Sequence, residues 1–354
     1  MFLRSWSVGE NKIWKTSIIE ETNKLSTRKR SIKKTSSSCY LYSIKPKYRN
    51  DVIIKLFINI LCLKHNTKNI ENLNFEQSIF GEVDDKGSVT LKKIIENQSG
   101  ILDILDEEDI KYFIKYIYLL QARNPKIMKN TEIGMRDVLR EGSDIYNKIV
   151  SSFGKDAFDN SFKNLMEDNN LSKLVLLDNC LDSSALLNLY QGIEYIIINI
   201  NEPNNSFITS NYPYASFPDI GDKKSIHVFP YSPRACLAMT HNKSLIKFLL
   251  SLKKEKKEKI VVNLVNFIIS ISSTEIYSKD DKIGNEVGKY INLLEYDRDR
   301  ARKQFELFLD EVINDNTIQD FSPKEHREGG FTETSILQTK EKKNPRFWKW
   351  FSKH

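Results

Sequence analysis

Thr209, Ser210 and Asn211 close a short apolar run just before Pro213, and Tyr231, Ser232 and Arg234 follow the next such run at Phe229-Pro230. Polar groups at the ends of strands project into the loop layer, where binding residues are common. Arg123, expected at the C-terminal end of a helix, adds a planar donor fork suited to a carboxylate or a phosphate. If the two runs are antiparallel neighbours, these side chains converge on one polar pocket. Such a pocket would bind an anionic ligand, or serve an enzyme whose reaction these residue types leave undefined. The competing reading is structural. Ser and Asn before Pro cap their own backbone, and Arg near a helix C-terminus is favoured by the helix dipole alone.

A second chemistry is written in the charge. The net charge is +7, but Lys24, Arg28, Lys29, Arg30, Lys33 and Lys34 contribute +6 with no acid among them. At the other end Arg346, Trp348, Lys349 and Trp350 interleave cations with aromatic rings. The body of the chain is therefore slightly acidic, and its basic character is confined to two segments. Clustered cations point to nucleic acid or another polyanion as partner. The bland readings are a solvated loop for the first segment and aromatics docked on their own domain for the second. An anionic membrane surface also suits the second.

Complete catalytic signatures are missing. No phosphate-binding GxxxxGK[ST], HExxH, GxSxG or GxGxxG occurs. The five histidines, His65, His227, His241, His326 and His354, show no metal-ligand spacing. No metal and no cofactor is expected. Asp219 and Asp222-Lys223-Lys224 are too close in the chain to span the hairpin that a restriction-type nuclease needs. Cys39, Cys62, Cys180 and Cys236 are scattered, as reduced buried thiols are. The longest apolar stretches, Ile53–Leu63 and Ile260–Ser273, carry polar interruptions and fall short of the roughly 20 residues a membrane span requires. Met1–Trp6 lacks a signal-peptide pattern, so a cytoplasmic location is expected.

The elements that must position these groups are mostly helical. Apolar spacing predicts helices from Asp51, over Leu102–Leu120 ending near Arg123, and over Glu132–Phe153, Lys155–Asp168, Asn242–Leu252, Val261–Tyr277 and Glu286–Ile313. Short strands are expected at Lys173–Leu177 and through Tyr195–Thr240, the latter forming one small central antiparallel sheet. Lys24–Ser38 reads as an exposed connection. The fold class is α+β, with one domain over residues 1–315 and a basic-aromatic tail over 316–354.

Several segments resemble the domain of unknown function 4238 family of bacterial proteins. Phe2-Leu3-Arg4-Ser5-Trp6-Ser7 is similar to part of the family's opening motif, and Asn11-Lys12-Ile13-Trp14 to the strand after it. Arg123-Asn124-Pro125 matches an Arg-x-Pro helix end, and Thr209-Ser210-Asn211-Tyr212-Pro213 a Thr-Ser-Asp-x-Pro motif with Asn211 in place of the acid. Phe229-Pro230-Tyr231-Ser232-Pro233 resembles a Phe-Pro-Leu-Ser-Pro motif. The resemblance implies no established activity; a bacterial defence role is the expectation that goes with the family's patchy occurrence.

Overall fold

The computed structural model describes residues 12–19, 24–31, 44–48, 50–65, 79–97, 105–122, 125–139, 142–182, 190–218, 222–252, 255–291 and 297–313, with positions 8, 22, 75, 187 and 188. By internal packing residues 1–322 form one unit and 323–354 another, and every described residue lies in the first. The class is α+β and mostly helical, with two four-stranded antiparallel sheets where one was expected.

The N-terminal half is built from helices α1 (Val52–His65), α2 (Gly81–Asn97), α3 (Glu107–Ala122), α4 (Pro125–Val138), α5 (Asp144–Phe153), α6 (Lys155–Met166) and α7 (Asn170–Leu181). Side-chain caps start several of them. Asp51 accepts from the backbone of Ile53 and Ile54, Asp106 from Asp109 and Ser143 from Tyr146. The expected helix over 132–153 is two helices, because Gly142 takes a left-handed φ of 86° and Ser143 caps a new start. The strand expected at Lys173–Leu177 lies instead inside α7. This helix is buried on nearly every side, so it shows no polar face from which a helical period could be read.

The central sheet takes the order β3 (Glu194–Asn199), β7 (Ala235–Thr240), β6 (Ile226–Ser232), β5 (Ala215–Phe217). Alternate residues serve two cores. Cys236 and Ala238 face α8 (Lys243–Leu250), α9 (Glu255–Ile271) and α11 (Arg298–Ile313), while Leu237 and Met239 face α2 and α3. Burial on both faces explains why all six residues of β7 are buried.

The second sheet has the order β2 (Lys24–Ser31), β1 (Lys12–Ile19), β8 (Glu275–Ser278), β4 (Thr209–Ser210). Two corrections follow. Lys24–Ser31 is a strand and not a connection, because it pairs along its whole length with the alternating run of β1. The helix expected to reach Tyr277 stops at Ile271, and the chain then adds β8 to the centre of this sheet. Likewise the helix expected over 286–313 divides into α10 (Asp281–Gly288) and α11.

Helix α10 lies hard against one face of the β1–β2 ribbon. A Cβ at Gly284 would stand 2.6 Å from Thr16 Oγ1 and 3.0 Å from Ser278 Oγ, and one at Gly288 2.8 Å from Thr16 Cγ2. Gly284→Val would gain roughly 0.5 kcal/mol of helix propensity, against about 1–3 kcal/mol of overpacking. The variant is expected to melt about 1–3 °C below Glu286→Ala, an exposed change on the same helix. Equal melting temperatures would show that α10 does not seat on the ribbon.

Candidate functional site

The β1–β2 ribbon is a regular two-stranded ladder from Lys12↔Ser31 to Ile19↔Lys24. Cross-strand partners share a face, and Lys15 is opposite both Arg28 and Tyr277, while Tyr277 is opposite Thr209. Arg28, Lys15, Tyr277 and Thr209 therefore form one row across all four strands. Its inner end is buried: Thr209 and Tyr277 have almost no exposure, and Thr209 Oγ1 has no hydrogen-bond partner among the described residues. Its middle is neutralised. Lys15 Nζ is 2.5 Å from Glu275 Oε1, and the Tyr277 hydroxyl donates to Glu275 Oε2 at 2.9 Å. Burial, then the neighbouring carboxylate, drives the Tyr277 phenol well above its ordinary pKa, so it stays a protonated donor.

The outer end is different. Arg28, Lys29 and Arg30 are all exposed, and among the described residues no carboxylate lies within 4.0 Å of any of them. Alternation puts Arg28 and Arg30 on the face of the row and Lys29 on the other, where its ammonium stands 5.0 Å from the centre of the Trp14 ring. Thr16 and Thr27 bond across the strands at 2.9 Å, and Thr27 donates to Asn285 of α10 at 2.6 Å. The basic run is thus mounted on a braced strand.

The residues expected to share a pocket are divided between the sheets. Thr209 and Ser210 sit on β4 of the N-terminal sheet, whereas Tyr231, Ser232 and Arg234 form the β6–β7 turn of the central one. The cause is Asn266 on α9. Its side chain accepts from Ile208 N and donates to Ser206 O, both at 2.9 Å, steering the chain out of the central sheet before Thr209. The turn remains near in the chain path, since Phe207 N donates to Pro233 O at 2.9 Å. Most of the polar groups are engaged locally. Ser210 Oγ donates to Tyr212 O and accepts from Tyr212 N, and Ser232 Oγ accepts from Arg234 N. The Arg234 guanidinium donates to the carbonyls of Glu202, Pro203 and Asn205. Asn211 accepts from Glu275 N and donates to Thr274, pinning the start of β8. Tyr231 is half-buried beside the α2–α3 core, which pushes its phenol up to about 12. Arg123, Lys33, Lys34, Arg346, Trp348, Lys349 and Trp350 lie outside the described residues.

His227 is a core residue. Its Nδ1 is 2.8 Å from the Tyr214 hydroxyl, which is 3.4 Å from that of Tyr190. Burial, with a smaller push from His241, lowers its pKa to about 3, so the ring is neutral. Among the described residues no three His, Cys, Asp or Glu side chains are placed to hold a metal ion, and no helix is long and apolar enough to cross a membrane.

The family model described as "Protein of unknown function (DUF4238)" matches residues 1–282. The chain belongs to this family. No curated protein and no solved structure matches it. The DUF4238 segment takes in every strand of both sheets, so the whole row from Arg28 to Thr209 lies within it. Lys15 and Tyr277, members of the row, and Glu275, which bonds to both, are residues that reading the sequence missed. The alternation around Lys15 was a usable signal; nothing local marks Glu275 and Tyr277, which follow directly on a long apolar helix.

Proposed function

We propose that this DUF4238 protein binds nucleic acid, or a polyanion like it, through the β1–β2 ribbon. The observation that carries the reading is the run Arg28, Lys29 and Arg30, three cations without a carboxylate partner among the described residues, presented along a braced edge strand. An edge strand that carries Arg28 and Arg30 on one face and Lys29 on the other can follow phosphates along its length while releasing counterions. Trp14, beside Lys29, adds a ring of the kind that supports single strands by stacking. Binding is favoured over catalysis because the Ser210 and Ser232 hydroxyls and the Arg234 guanidinium are engaged by neighbouring backbone. The enzyme reading, built on Arg123, Thr209, Ser210 and Tyr231, keeps one supporting feature, a Thr209 hydroxyl with no hydrogen-bond partner among the described residues.

The test is fluorescence anisotropy with a labelled single-stranded oligonucleotide over a range of salt. The triple variant Arg28→Gln, Lys29→Gln, Arg30→Gln alters exposed side chains only and is expected to fold normally. Its log–log salt slope should be shallower by about 2–3, from three lost phosphate contacts at roughly 0.7–0.9 each. An unchanged slope, or no binding by the parent protein at low salt, would refute the ribbon as the binding surface.

A further inference from the structure

A groove of about 640 Å³ opens along α4, α5 and α6, with no ribbon residue in its lining. That is within the size range of small-molecule sites. Its floor is a ladder of rings. Tyr146 meets Phe158 edge-on at 4.8 Å and 79°, and Phe158 stacks on Phe162 at 5.5 Å and 18°. Phe162, the last ring, is only partly buried. Such a ladder can be extended by one more flat ring, since offset-stacked and edge-on contacts are the favoured arrangements.

The rim is cationic. Arg136, Lys155 and Lys163 stand around the floor, with Asp159 and Glu167 as the acidic members. Glu167 has one oxygen engaged outside the groove, its Oε2 accepting from the Tyr48 hydroxyl at 2.8 Å and from Lys47 at 3.4 Å. Arg136 donates its Nε to Met166 Sδ at 3.2 Å, a thioether and so a weak acceptor. That contact parks the guanidinium at the groove without discharging it. Among the described residues no carboxylate lies within ion-pair distance of Arg136 or Lys163. Glu132, one turn earlier on α4, is buried, and burial raises its pKa to about 7. Near neutral pH it therefore offsets only part of the charge of Arg136.

We infer that this groove is a binding site for a small ligand joining a flat aromatic ring to one anionic group, the ring continuing the Tyr146–Phe158–Phe162 ladder and the anion meeting Arg136 and Lys163. The surface differs from the ribbon in what it selects, because a single anion here is recognised only together with a ring.

The test is ligand-observed NMR with indole-3-acetate as the probe, against its neutral amide and the non-aromatic anion cyclohexylacetate. Indole-3-acetate is expected to saturate below about 10 mM, with both comparators at least about tenfold weaker. Arg136→Gln, at an exposed position, should weaken the acetate about tenfold while leaving the amide unchanged. Lys163→Gln should act in the same direction. Absence of saturable binding overturns the inference. So does equal affinity for acid and amide, equal affinity for cyclohexylacetate, or an Arg136→Gln protein that binds the acetate as the parent does.

Discussion

Phe217→Ala is expected to lower the unfolding free energy by about 3–5 kcal/mol, a large part of the roughly 5–15 kcal/mol that holds a protein folded. Phe217 is fully buried on β5 and stands edge-on to Phe267 of α9 at 6.4 Å and to Phe305 of α11 at 5.3 Å. It ties the central sheet to the two helices that cover one face. Truncation removes the transfer energy of the ring and leaves a cavity that two rigid aromatic neighbours cannot collapse to fill. Phe153→Ala is the control, since that side chain is 40% exposed and should cost under about 0.5 kcal/mol. Phe305→Ala should resemble Phe217→Ala, and the double variant should lose less than the sum because the two rings touch. Urea unfolding of the four proteins measures this directly. A Phe217→Ala midpoint no lower than that of Phe153→Ala would mean that the sheet and these helices do not share a core.

Acidification is expected to remove about 2–3 kcal/mol of stability between pH 6.5 and pH 4.5 through His227. The folded ring holds a pKa of about 3, chiefly because it is buried, against 6.5 in the unfolded chain. Across that interval the unfolded state takes up a proton that the folded state refuses. The contribution is therefore present above pH 6.5 and is lost progressively as pH falls. Glu132 works the other way. Its folded pKa of about 7 exceeds its ordinary 4.5, so between those values the folded state binds the extra proton and acid stabilises it. Across this window the two contributions are each about 2 kcal/mol and opposite in sign, so in the parent protein they nearly cancel. Asp168, held below the usual carboxylate range by hydrogen bonds from Lys45 and Tyr48, adds its loss only at lower pH, outside this window. Chemical unfolding of the parent, His227→Phe and Glu132→Gln from pH 7.5 to 4.5 separates the terms. The first variant should gain stability toward acid, and the second should lose about 2–3 kcal/mol between pH 6.5 and pH 4.5. A His227→Phe protein with the parent's slope would disprove the assignment.

Much of the local structure could be read along the chain. Asp51 and Asn242 stand at helix starts read from the sequence, each accepting from backbone amides of the first turn. The helix expected from Leu102 is instead α3 from Glu107, with Asp106 accepting from Asp109 N. The apolar stripe before Arg123 is α3, which ends at Ala122. The errors fell where tertiary burial hides the period. Helix α7 is buried all round and reads as a strand, and β8 follows α9 closely enough to look like its last turn. Strand β2 looks like a loop because Lys24–Ser31 carries one apolar residue, Leu25; it becomes a strand only by pairing with β1.

An α+β helical protein, its family and two basic segments are legible along the chain, because composition, periodicity and short motifs are properties of neighbouring residues. Which distant groups meet is a matter of folding. Strand register aligns Arg28, Lys15, Tyr277 and Thr209 in one row, and Asn266 sends Thr209 to that row instead of beside Arg234. The ring ladder of the groove likewise needs α5 and α6 packed against each other before Tyr146 can face Phe158. Register and packing angle are set by long-range burial, and no local run of side chains encodes them.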